Sequence, residues 1–83
     1  MISSEEAGKL VPGACLTYTD GSPNQAPYLR VEGEFKRISY MSGGICFLEI
    51  VVTQPPTYQG RCGWPPAEVG KSFYANASLF TQA

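Results

Sequence analysis

Eighty-three residues suffice for one domain with one core and leave no room for a second. With 43% hydrophobic and 16% charged residues, the composition is that of a folded chain, not a disordered one. A formal net charge of -1 argues against a protein built chiefly to neutralise nucleic-acid phosphates, whose usual footprint is a basic excess.

Residues Met1 to Glu6 show neither a basic start nor an apolar stretch of the kind that directs secretion. No run reaches the ~20 apolar residues of a membrane-spanning helix. Three cysteines at positions 15, 46 and 62 match no disulfide framework of a small secreted domain. The expectation is a single cytoplasmic domain over residues 1–83. On that reading Asn76-Ala77-Ser78 fits the glycosylation sequon by chance.

Ser3 and Glu6 have the spacing of a capping box, in which a serine hydroxyl and a glutamate carboxylate satisfy each other's backbone N–H. The helix they open is short, because Gly8 and then Pro12-Gly13 interrupt it. Leu10 and Val11 would plug one end of the core. Residues 14–18 read as a first strand with Ala14, Leu16 and Tyr18 on one face. Residues 20–27 hold nearly every turn-favouring residue type, which predicts the longest polar loop. Residues 28–31 form a second strand, Gly33 permits a bend, and residues 34–40 form a third.

Ser42-Gly43-Gly44 reads as a tight hairpin into the most informative stretch of the chain, Ile45 to Val52. Seven of those eight residues are apolar, and glycine before and proline after limit them to strand length. With period 2, Cys46, Leu48, Ile50 and Val52 share one face. Ile45, Phe47 and Val51 share the other, interrupted by Glu49. Both faces therefore read as dry. The second would be covered either by closure of a barrel or by a partner. From Thr53 to Pro66 the prolines at 55, 56, 65 and 66 predict irregular chain with Trp64 tucked back. Residues 68–70 read as a turn, residues 71–75 as a fifth strand, and Leu79-Phe80 as a closing plug. The expected fold is mainly β: a five-stranded antiparallel barrel of SH3-like or OB-like size, or a strongly bent sheet, with a short N-terminal helix.

Several chemistries are excluded by the absence of histidine: no Ser-His-Asp or Cys-His site can be built, nor the common histidine-ligated metal sites. Glu32 and Glu34 look like solvated cross-strand partners of Arg30, Lys36 and Arg37. Gly70-Lys71-Ser72 resembles the end of a phosphate-binding loop, but proline stands at position 65, where that motif needs glycine. Among the cysteines, Cys46 belongs to the apolar face and Cys15 faces away from Leu16. Cys62, beside Arg61, is the one candidate for reactivity. No cofactor and no metal is expected.

Two features point to binding. Pro55-Pro56-Thr57-Tyr58 matches the Pro-Pro-x-Tyr pattern and resembles the ligands of WW domains, which read a polyproline II segment followed by a tyrosine. The plain alternative is a proline-stiffened connection. Aromatic and basic residues also recur together: Tyr28, Arg30, Lys36, Arg37 and Tyr40, with Phe47 and Trp64 as further anchors. Tyr, Trp and Arg dominate protein hot spots. The expected function is thus a non-enzymatic module that binds a protein partner, itself included, with no membrane role. The alternative is a single-strand nucleic-acid binder that stacks bases on the tyrosines and meets phosphates with Arg30, Lys36 and Arg37.

Overall fold

The structure, a computed structural model, describes residues 2–60 and 67–82. A short α-helix, α1, covers Ser4–Ala7. Ser3 caps it, with the Ser3 hydroxyl accepting from the Glu6 N–H at 3.1 Å and the Glu6 carboxylate accepting from the Ser3 N–H at 3.2 Å. This is the capping box read from the sequence. Ile2 and Ala7 are the residues that α1 and its lead-in bury. Val11 does not plug the core as expected: it is exposed, whereas Leu10 packs against the core's edge.

Six strands follow: β1 Cys15–Ser22, β2 Gln25–Ser42, β3 Ile45–Val52, β4 Thr57–Gln59, β5 Ser72–Asn76 and β6 Phe80–Gln82. They form one antiparallel sheet in the order β5-β3-β2-β1-β6, with β4 beside β2. The polar stretch 20–27, expected as a long loop, is instead mostly strand. Ser22 pairs with Gln25, and only Pro23 and Asn24 connect them. Likewise the second and third predicted strands are a single strand. β2 pairs with β1 through its first half and with β3 through its second, and the two ladders meet at Gly33. Glycine is required there by space. A Cβ at Gly33 would lie 2.5 Å from the Val51 carbonyl oxygen and 2.9 Å from Ile50 Cδ1.

Ser42 pairs with Ile45 across Gly43 and Gly44, whose φ values of 56° and 84° are the left-handed pair that a two-residue primed hairpin turn demands. β3 ends where Thr53 donates its N–H to the Glu32 carbonyl at 3.0 Å. Pro55-Pro56, which lack N–H groups, then step out of the ladder. β4 rejoins β2 by pairing Thr57 with Arg30 and Tyr58 with Leu29. The prolines thus split one long partner of β2 into two.

β5 and β6, at opposite ends of the strand order, are joined by a single 3-10 turn, Ala77–Leu79. That short link makes the sheet curl, with the core inside the curl. Leu16, Val31, Leu48, Ile50, Val52 and Phe80 are fully buried there. The Tyr18 ring on β1 meets Phe73 of β5 edge-on at 4.9 Å and Phe80 of β6 at 5.6 Å. No ladder joins β5 to β6 among the described residues, so the sheet is not closed. Six strands stand where five were expected, and the structure does not show a closed barrel. Phe80 acts as the expected plug, while its neighbour Leu79 is exposed.

Candidate functional site

The face of the sheet opposite the core is built by β2, β3 and β5. Its arrangement follows from two register shifts in β2, one between Phe35 and Arg37 and one between Ile38 and Tyr40. In an unbroken strand Phe35 and Arg37 would share a face. One extra residue at each shift lets Phe35 and Ile38 point inward while Arg37 and Tyr40 point outward. The outer face then carries rows across the sheet. Arg37 lies opposite Glu49, which lies opposite Tyr74. Tyr40 lies opposite Phe47, which lies opposite Asn76.

Glu49 is the one charged side chain buried among the described residues, at 1% exposure. Arg37 Nε donates to Glu49 Oε1 at 2.6 Å, and the Ser72 hydroxyl donates to Oε2 at 2.8 Å. Lys36 Nζ stands 3.4 Å from Oε2. Both carboxylate oxygens are therefore satisfied, as a buried charge requires. The bonds from Arg37 and Ser72 outweigh the cost of burial and hold the Glu49 carboxyl down at about 2. The same contact raises Arg37 above its ordinary value.

The second face of β3 is thus not dry throughout. Val51 is half-buried and Glu49 is covered by its cations, but Ile45 (49%) and Phe47 (37%) are exposed. Among the described residues, then, no element covers Ile45 and Phe47, and of the two expected covers for this face, closure of a barrel is not the one present. In the sequence Glu49 reads only as an interruption of an apolar face. The signal that could have placed it lies in Lys36-Arg37, two adjacent cations that only a register shift can turn to one face.

The expected binding residues divide into four groups. Lys36, Arg37, Tyr40 and Phe47 come together on this face, with Tyr40 and Phe47 edge-on at a ring separation of 6.4 Å. Ile45 and Tyr74, both exposed, extend the apolar surface around them, whereas Met41, exposed as well, pairs with Cys46 and lies on the other face. Arg30 lies apart, on the half of β2 beside β1 and β4, where it bonds Glu32 at 3.0 Å. Tyr28 is buried and presents no ring face to solvent. Trp64, like Arg61 and Cys62, lies outside the described residues.

Little else resembles a site. Cys15 is exposed and Cys46 buried, both as free thiols, and burial pushes the Cys46 thiol up, away from the reactive thiolate. No group of three His, Cys, Asp or Glu side chains that could hold a metal occurs among the described residues. No helix among them is long and apolar enough to cross a membrane. No family model, no curated protein and no solved structure matches this chain.

Proposed function

We propose that this chain is a non-enzymatic interaction module that binds a protein partner, a second copy of itself first of all, through the outer face of β2, β3 and β5. The finer architecture that goes with this reading is a small barrel-like domain of SH3-like size. The observation that carries the proposal is the exposed Tyr40–Phe47 pair, with Ile45 and Tyr74, also exposed, on the same face. Aromatic rings held rigidly by a sheet lose little conformational freedom on binding, which makes them effective anchors. The saturated Arg37–Glu49–Ser72 cluster next to them supplies a fixed polar border. A second copy suits a domain this small, which gains burial by dimerising.

The nucleic-acid alternative receives less support. Lys36 and Arg37 are engaged by Glu49, and Arg30 by Glu32, so each cation assigned to phosphate already faces a carboxylate. That reading requires binding to single-stranded DNA or RNA that weakens steeply with salt.

Sedimentation velocity over a wide concentration range tests the proposal. The expected result is a mass that rises with concentration in the wild type and stays monomeric in Phe47→Asp, with the variant's melting temperature measured in parallel to confirm that it folds. A wild-type chain monomeric throughout, with Phe47→Asp changing neither mass nor stability, overturns it.

A further inference from the structure

A second exposed feature lies on another part of the chain and has a different chemistry. Pro55, Thr57 and Tyr58 are exposed and Pro56 is half-buried, and none of the four belongs to the core cluster. Pro55 and Pro56 lie between two ladders and belong to neither. Thr57 and Tyr58 continue as β4, which among the described residues pairs along one side only, with β2. Thr57 and Tyr58 are therefore presented already extended, and the rings of Pro55 and Pro56 hold φ near the polyproline II value.

From this placement we infer that Pro55–Tyr58 is a folded-in Pro-Pro-x-Tyr ligand for a protein domain whose aromatic groove reads consecutive prolines followed by a tyrosine. Separating the β2–β3 ladder from the β2–β4 ladder accounts for two prolines at this point. It does not account for a tyrosine two residues further on that is left 37% exposed. A disordered ligand must be ordered when it binds, whereas this one is held extended by its pairing with Leu29 and Arg30, which removes part of that cost. The inference does not depend on the outer face of β2, β3 and β5, and it names a different class of partner surface.

The test titrates an isolated WW-type domain of Pro-Pro-x-Tyr specificity with the full chain and follows binding by calorimetry. Saturable one-to-one binding is expected, weakened roughly tenfold or more, about 1.4 kcal/mol, in Tyr58→Ala and in Pro56→Ala. Phe47→Asp should bind like the wild type, which separates this site from the proposed self-association. Tyr58→Phe, which keeps the ring and the strand, guards against a variant that fails to fold. Absence of saturable binding by the folded chain overturns the inference. So does binding that Tyr58→Ala leaves unchanged, or binding seen only with a free peptide spanning 53–60.

Discussion

The curl of the sheet rests on Phe80, and replacing it tests the architecture most directly. Phe80 is fully buried on a strand of three residues, opposite Tyr18 on β1 and in edge-on contact with its ring. Removing a buried phenylalanine costs about 3–5 kcal/mol, the edge-on pair included. A chain of this size has a total stability of about 4–12 kcal/mol at the usual value per residue. Phe80→Ala therefore removes a large share of it and lowers the melting temperature by about 12 °C or more, at roughly 4–8 °C per kcal/mol for a small domain. Leu79→Ala is the matched control, because Leu79 precedes Phe80 and is exposed; surface changes stay within about 0.5 kcal/mol. Urea unfolding of the three proteins, followed by tyrosine fluorescence, yields both differences from one set of curves. Equal midpoints for Phe80→Ala and Leu79→Ala would refute the reasoning, since β6 would then not be docked and the sheet would not curl.

Two further outcomes follow from the neighbouring strands. Glu49 has a folded-state value of about 2 against an ordinary 4.5, so its ionised form contributes stability that is present above the ordinary value and is lost as pH falls through about 2. Melting temperature should fall across that window in the wild type and fall less in Glu49→Gln; parallel curves would remove Glu49 from the account. Gly33→Ala should destabilise the domain although its backbone conformation is ordinary, because the new methyl meets the Val51 carbonyl, and a backbone oxygen has little freedom to move aside. A wild-type urea midpoint for Gly33→Ala would contradict the close approach of β2 and β3.

The legible parts of the fold were those written in local chemistry. Ser3 and Glu6 stated a cap, Gly43-Gly44 stated a hairpin, and the alternation of Cys46, Leu48, Ile50 and Val52 stated an inner face. The misread parts depend on pairing with distant residues. Asp20 to Pro27 carry turn-favouring types, yet the β1–β2 ladder continues through most of them, because a partner strand overrides weak local preference. β4 and β6 are three residues each and too short to show a period. The candidate site was half legible. Tyr40, Phe47, Lys36 and Arg37 were named, but strict alternation hides the two register shifts that turn them to one face. Glu49 shows most plainly why: in sequence it is a charge within an apolar run, and only Arg37 and Ser72, twelve and twenty-three residues away, explain its burial.

Those same contacts bear on why a carboxylate occupies the middle of the most apolar strand. An ion pair taken out of water is seldom more stabilising than well-packed hydrocarbon of similar size. Its effect here is on pairing. A one-residue slip of β3 against β2 would carry Glu49 into the core without Arg37 or Ser72, whereas an all-apolar strand has no such penalty. Replacing both Arg37 and Glu49 with leucine should therefore leave thermal stability equal or raised, while the β2–β3 pairing loses its uniqueness. Amide spectra would show extra or broadened peaks for residues 35–51, and backbone hydrogen exchange there would quicken. A double variant that is stable and gives one sharp set of peaks would refute this, and the register would then be fixed by the Gly43-Gly44 turn and the inner face alone.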